Sequence, residues 1–356
     1  MTEKTDIMRL LPDELEVFIS SPPFGQPKYR AKQIFSWLCR GKNFDEMTNL
    51  PARLRETLGE YCIVKTPTVK RKLVSALDGT VKYLFELYDG NTVEAVYMKY
   101  EHGNTLCVSS QVGCRMGCRF CASTKSGRVR NLSASEMLGE VVAAEHDTGT
   151  RISNIVMMGI GEPLDNYDET VRFLKLVSHP DGLNIGLRHI SISTCGVVPK
   201  IYELAKLSLP VTLSISLHAS NDRDRSEIMP VNDAYSLDEL MTACRDYFED
   251  TGRRISFEYT LIAGKNDSDR HAAELAELFR KYMRQNGKPQ PVHVNLIPLN
   301  DVEGTGLSRP NKKAIEHFVS ELTRRGVNAT VRRRLGPDIN AACGQLRIES
   351  ASDSHT

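Results

Sequence analysis

Apolar positions change their spacing twice along the chain. Up to about residue 66 they recur at helical intervals. Residues 11–19 form a short amphipathic pattern, 29–40 set Ile34, Trp37 and Leu38 on one face, and 52–61 predict a third helix, with a proline-rich turn at 21–27. Between 69 and 100 the text becomes strand-like at 83–87 and 93–98, with turns at Asp78-Gly79 and Asp89-Gly90. From Leu106 onward, short β-branched runs alternate with longer helical patterns. Strands are predicted at 106–109, 154–158, 189–193, 211–216, 255–262 and 292–297, and helices at 133–147, 167–177, 198–206, 237–250 and 271–284. A last helix at 312–324 precedes a final strand at 329–333. Six strands separated by helices predict βα units and an α/β fold with a parallel sheet. Six units fall short of a closed eight-stranded barrel, so an open or partial barrel is expected, with its chemistry at the C-terminal ends of the strands.

Composition adds little to that picture. The 356 residues are 40% hydrophobic and 26% charged, as in an ordinary globular protein with a sizeable core. No apolar run approaches the ~20 residues that cross a bilayer, and the first twelve residues lack a signal-peptide pattern. A cytoplasmic protein with no membrane partner is the expectation. Nine cysteines, an odd number, suit a reducing compartment better than a disulfide scaffold, and some thiols should serve a metal or a reaction. Net charge is +1, yet five basic residues (Arg115, Arg119, Lys125, Arg128, Arg130) stand without an acid between Cys107 and Ser135. Arg324, Arg325, Arg332, Arg333 and Arg334 make a second basic cluster. Such clusters are often solvated faces and become informative only around a site.

The strongest chemical signal is Cys114-Arg115-Met116-Gly117-Cys118-Arg119-Phe120-Cys121, a C-x3-C-x2-C spacing after the first βα strand. Zinc would want a fourth ligand, usually from a second C-x2-C pair, and none follows. Burial as inert thiols conflicts with the intervening Arg115, Gly117 and Arg119. Three thiolates on one loop can instead hold three irons of a [4Fe–4S] cluster and leave the fourth open. An open iron can chelate S-adenosylmethionine for reductive cleavage to a 5′-deoxyadenosyl radical.

The triad, with Phe120 before its last cysteine, resembles the radical-SAM superfamily. The flanking text is more specific: Cys107-Val108-Ser109-Ser110-Gln111-Val112-Gly113-Cys114, Arg130-Asn131-Leu132, and Met158-Gly159-Ile160-Gly161-Glu162-Pro163-Leu164. Ser214-Ile215-Ser216-Leu217-His218-Ala219, Asn295-Leu296-Ile297-Pro298 and Ala341-Ala342-Cys343-Gly344-Gln345-Leu346 follow. Together with Tyr29-Arg30-Ala31-Lys32-Gln33-Ile34-Phe35, they resemble the RlmN/Cfr family of RNA methyltransferases over nearly the whole chain, the RlmN type most closely.

That resemblance implies a radical-SAM partial (β/α)6 barrel at 101–347, a helical RNA-binding accessory domain at 1–66, a strand-rich extension at 67–100 and a disordered tail at 348–356. It implies one [4Fe–4S] cluster on Cys114, Cys118 and Cys121, and two molecules of S-adenosyl-L-methionine per turnover. Cofactor contacts are implied at Gly161, Glu162, Ser193, Ser216, Leu217, His218 and Asn300. In the family's reaction an adenine ring carbon is methylated, C2 in the RlmN type and C8 in the Cfr type. Those carbons are electron-poor, and a carbon radical adds to them where a methyl sulfonium is not attacked. Cys343 would carry the methyl group, its methylene radical would join adenine, and Cys107 would resolve the crosslink through a transient disulfide. Glu94 would take up the proton that the ring carbon loses. Read from the residues alone, Cys343 and Cys107 could be buried small hydrophobes and Glu94 an edge-strand charge. Cys39, Cys62, Cys195 and Cys244 are expected to be structural.

Partners implied by the same resemblance are 23S rRNA and tRNA, the latter modified next to the anticodon, with phosphates meeting the basic clusters. An electron donor such as flavodoxin or ferredoxin, a disulfide reductant and a monomeric chain complete it. An adenine paired in a helix hides its C2 edge, so the target base must be unpaired or flipped out. Three other readings stay open. A C8-methylating relative shares every cysteine named. A radical-SAM enzyme acting on something other than RNA would not need Cys343. An iron–sulfur RNA-binding factor would leave the RNA unchanged when given reductant and S-adenosylmethionine.

Overall fold

The computed structural model describes residues 4–341 except 102, 286, 287, 291, 301 and 303. Three helices come first, α1 (Pro12–Ser20), α2 (Tyr29–Leu38) and α3 (Ala52–Tyr61). α1 buries Leu15 and Ile19 and α3 buries Leu54 and Leu58, while α2 buries Ile34, Phe35 and Leu38 and leaves Trp37, expected on that face, half-buried at the edge of the core. These side chains join one continuous core with those of the central sheet. Ion pairs between Arg172 and Glu14 and between Lys32 and Asp181 tie the helices to the same body.

Ten strands then build one sheet whose spatial order follows the chain. β1 (Thr68–Val74), β2 (Val81–Glu86), β3 (Thr92–Tyr100) and β4 (Gly103–Cys107) pair antiparallel in succession. From β4 the pairing turns parallel through β5 (Asn154–Met157), β6 (Ile190–Thr194), β7 (Thr212–Ser216), β8 (Ile255–Leu261), β9 (His293–Pro298) and β10 (Asn328–Val331). Between consecutive parallel strands run α4 (Ala134–Thr148), α5 (Tyr167–Ser178), α6 (Val198–Lys206), α7 (Asp222–Ile228) with α8 (Leu237–Thr251), α9 (Asp269–Tyr282) and α10 (Lys312–Arg324). β10 pairs only with β9, so the run stays open, and the fold is the α/β partial barrel that the alternation of strands and helices predicts. No helix among the described residues is long and apolar enough to cross a membrane.

Local chemistry fixes the boundaries. α4 opens on a capping box, Ser133 with Glu136, and closes on Gly149 at φ +63°. β8 is buried along its whole length, as a central strand covered on both faces must be. Strand β3 divides its residues by parity. Val93, Ala95 and Tyr97 enter the main core, while Val96 and Met98 pack in a second cluster with Cys107, Ile160, Leu335 and Ala341. Glu94 shares the parity of Val96 and Met98.

Glu140 on α4 is fully buried. Its Oε2 accepts the Ser109 N–H at 3.0 Å, whereas Oε1 has no partner. Burial therefore pushes this carboxyl well above the ordinary glutamate value of 4.5. The folded chain keeps a proton that the unfolded chain releases once pH exceeds ~4.5, so this group's contribution to stability falls as pH rises. Glu140→Gln is expected to gain on the wild type between pH 5 and pH 8. Melting temperatures of both proteins at the two pH values check this, and a difference that does not change with pH would refute it.

Candidate active site

The C-terminal ends of the parallel strands surround an open cavity, lined by the cysteine loop and by residues at the ends of β5 to β9. The cysteine loop forms one wall. Gly117 sits at φ +73° inside the loop, and the Arg119 N–H donates to the Ile228 carbonyl, which pins the loop to the end of α7. Cys114, Cys118 and Cys121 all line the cavity. Burial pushes the Cys114 thiol up to about 12 and holds the Cys118 thiol well above its ordinary value, so binding a metal there must displace protons. Among the described residues no three Cys, His, Asp or Glu side chains close around a single ion. A cluster takes one thiolate per iron and asks for a wider spread, which three thiols on one cavity wall supply.

Across from the cysteines lies the turn after β5. Gly161 adopts φ +107°, and a Cβ there would come within 2.6 Å of the Gln111 Cβ. Only glycine lets this turn approach so closely. Glu162 follows, buried, its Oε1 accepting the Leu164 N–H at 2.9 Å and its Oε2 the Cys195 N–H at 2.7 Å. Burial raises this carboxyl against the pull of those N–H groups, and a cationic ligand group in the cavity would restore the charged form. Ser193 and Ser216 stand on neighbouring strands with their hydroxyls 3.5 Å apart, and both face the cavity with Asn300.

His218 lines the same space at φ +59°. Its Nδ1 accepts the Thr260 N–H at 2.9 Å, which assigns the ring proton to Nε2. Burial, with the nearby Arg225 cation, pushes its pKa down to about 3. The ring is thus neutral and presents a donor, and it meets Phe120 edge-on with centroids 4.8 Å apart. A general base would need a free basic nitrogen, so a ligand contact fits this residue better.

The structure separates other residues from this cavity. The Leu217 side chain is buried in the main core and does not line this cavity; its N–H donates to the Glu258 carbonyl and its own carbonyl accepts from Arg225. Cys107 and Glu94 lie outside the cavity wall as well. Cys107 sits opposite Val96 in the β3–β4 ladder, so it and Glu94 occupy one face of the sheet. There the Glu94 carboxylate pairs with Lys82 at 2.8 Å, both side chains nearly buried. Lys82 also donates to the Asn340 carbonyl at 3.3 Å. Ser75 and Asp78 in the β1–β2 turn hold the same segment, through Asp338 at 2.7 Å and the Gly336 N–H at 3.0 Å. This segment runs toward Cys343, which itself lies outside the described residues.

Four features carry no signal in the sequence. Cys195, expected to be structural, lines the cavity. Arg225 is fully buried beside it, and Glu258 lines the cavity while accepting from Asn295 at 2.9 Å. The stretch 109–111 is a brace. Ser109 donates to the Glu94 carbonyl and accepts the Ile160 N–H, and Gln111 accepts the Glu162 N–H while donating to Asp165. These bonds tie the Glu94 strand, the cysteine loop and the Gly161 turn together.

The profile of the radical SAM superfamily matches residues 108–276, and that of the ribosomal RNA large subunit methyltransferase N-terminal domain matches residues 5–64. A probable dual-specificity RNA methyltransferase RlmN of Alkaliphilus oremlandii is 51% identical over 346 residues, covering 97% of this chain and 98% of its own. A protein of the same description from Pelotomaculum thermopropionicum is 52% identical over 92% of this chain and 88% of its own. The crystal structure of a radical SAM methyltransferase from Sphaerobacter thermophilus superposes with a TM-score of 0.90 at 44% identity, covering 96% of this chain and 99% of its own.

Proposed function

Because the chain belongs to the RlmN family of radical-SAM RNA methyltransferases, we propose that it converts adenosine to 2-methyladenosine in 23S rRNA and in tRNA next to the anticodon. The observation that carries this reading is a second set of reactive groups beside the cofactor cavity. Cys107 and Glu94 share one sheet face, and Cys107 packs with Ala341, two residues before Cys343. A radical-SAM enzyme that only abstracted a hydrogen from a small molecule would have no use for that arrangement.

In this reading Cys114, Cys118 and Cys121 hold the cluster, and residues 1–66 form an RNA-binding accessory domain. When bound, the cluster supplies the electron that cleaves S-adenosylmethionine reductively. Glu162 orients the ammonium group of that cofactor, and Ser193, Ser216, His218 and Asn300 line its remaining surface. Cys343 holds the methyl group before transfer, so two S-adenosylmethionine molecules are used per methyl delivered. Glu94 removes the proton from the methylated ring carbon, and Cys107 frees the product by forming a disulfide with Cys343. A one-electron donor of the flavodoxin or ferredoxin class and a thiol reductant then restore the enzyme.

The test uses anaerobically reconstituted protein, S-adenosylmethionine, reductant and unmodified ribosomal or transfer RNA, with mass spectrometry of the digested nucleosides. The expected product is 2-methyladenosine. Finding 8-methyladenosine would place the chain with its C8-methylating relatives, and no methyladenosine despite cofactor cleavage would overturn the RNA substrate. Cys343→Ala is expected to abolish the product while leaving the cluster intact.

A further inference from the structure

The basic clusters of the sequence divide by what holds each guanidinium. Arg115 and Arg128 turn onto Asp165, and Arg130 lies between Asp89 and Glu136. Arg324 and Arg325 share Glu321, and Arg332 faces Glu258 at 3.6 Å. Arg333, Arg334 and Arg309 differ. None of the three makes an ion pair or a side-chain hydrogen bond among the described residues. All three converge with Arg332 on a second cavity, to which Met98, Tyr100 and Ala341 also contribute.

Four guanidinium groups on one cavity repel one another unless an anion joins them. Arg334 adds a specific deficit, because its Nε is buried without an acceptor. The planar fork of arginine matches the oxygens of a phosphate in pairs, and it remains charged at every physiological pH. Position narrows the ligand further. Ile297, Asn300 and Arg332 line both this cavity and the cofactor cavity, so whatever binds here reaches the reaction chamber directly. Ala341 brings the segment that leads to Cys343 to the same wall. An anion attached to a base that must enter the neighbouring chamber is a nucleotide phosphate.

We propose that Arg309, Arg333 and Arg334 grip the phosphodiester backbone of the substrate RNA beside its target adenosine. The strand is held there while the unpaired base enters the cofactor cavity, and Tyr100 offers the aromatic wall on which a flanking base stacks. This site rests on the RNA-methylation reading above. It also separates the arginines that bind RNA from those that brace the fold, a division the basic runs of the sequence do not show.

The experiment measures binding of an unmodified tRNA transcript to the full-length holoenzyme between about 50 and 200 mM salt. R309Q, R333Q and R334Q are each expected to weaken binding about 10-fold. Each should also flatten the plot of log affinity against log salt by roughly 0.7, the value for one phosphate contact on a single strand. The lysine replacements should keep the slope and lose part of the affinity. R324Q and R325Q, whose guanidiniums are engaged by Glu321, should change neither. Cluster absorbance and S-adenosylmethionine binding are expected to match the wild type in all variants, which shows that they fold. Wild-type affinity and slope in the three glutamine variants, alongside normal methylation by the wild type, would overturn the site alone. Loss of S-adenosylmethionine binding in place of RNA binding would overturn it too, assigning the cavity to the cofactor. Wild-type protein that methylates no RNA would instead overturn the reading on which the site rests.

Discussion

Arg225→Met is expected to destabilise the protein by about 3–5 kcal/mol, because it strips the donor from several buried neutral acceptors at once. The guanidinium is fully buried and spends its donors on four acceptors. Nε donates to the Leu217 carbonyl at 3.1 Å, and Nη1 to Asn232 Oδ1 at 2.9 Å. Nη2 reaches the Cys195 and Ser216 carbonyls at 2.7 and 3.2 Å. Methionine fills much of the volume but leaves all four acceptors unmatched in a place water does not reach, each at a desolvation cost of about 1–3 kcal/mol before relaxation. Lysine keeps the charge without the fork, so R225K should recover only part of the loss.

The same residue acts on the cysteine loop. Burial dominates in raising the Cys118 thiol, and the Arg225 cation is what pulls it back down. Its removal should therefore lower the iron and sulfide retained after anaerobic reconstitution, beyond the effect of instability alone. Denaturant midpoints and iron content of R225M, R225K and the wild type are the measurements. A variant with the wild-type midpoint and a full cluster would show that neither the network nor the charge matters.

Nothing in the text around Arg225 announces this. The stretch Asn221-Asp222-Arg223-Asp224-Arg225-Ser226 alternates charges like a solvated helix, and a seven-residue helix leaves no periodicity to read. Lys82 is hidden in the same way, a charge inside an apolar strand whose partner stands on the next strand. β1 was illegible for the opposite reason. Its residues are all exposed, so no buried face imposes alternation. Most of the parallel strands were legible because one face is fully buried, and in β8 both are, so apolar β-branched residues recur along them. The cysteine loop was legible because its spacing is chemistry rather than packing. The cavity residues fell where the strand-end rule placed them, with one exception. Leu217 sits in the right motif, but alternation along the chain sends its side chain into the core between Ser216 and His218, which both line the cavity.

The Lys82–Glu94 pair supplies the other large effect. Glu94→Gln keeps shape and hydrogen-bonding capacity but removes the basic oxygen. Loss of a positioned general base costs typically ~10²–10⁴ in rate. Methyladenosine formation by E94Q should fall within that range. Cleavage of S-adenosylmethionine in the presence of RNA should continue, and the unresolved protein–RNA crosslink should accumulate on denaturing gels. Lys82→Met makes a different fault at the same place. It leaves a buried carboxylate without its 2.8 Å cationic partner and releases the hold on the Asn340 carbonyl. A buried carboxyl that loses a cation takes up a proton more readily, so K82M should lose methylation most at acid pH and recover as pH rises. E94Q has no such carboxyl to titrate and should stay low across the range. Pairing the two pH profiles separates proton transfer from mere support of the sheet, because a structural defect would depress both variants equally at every pH. Normal methylation by E94Q would remove Glu94 from the reaction and leave Lys82 as a clamp on the segment that leads to Cys343.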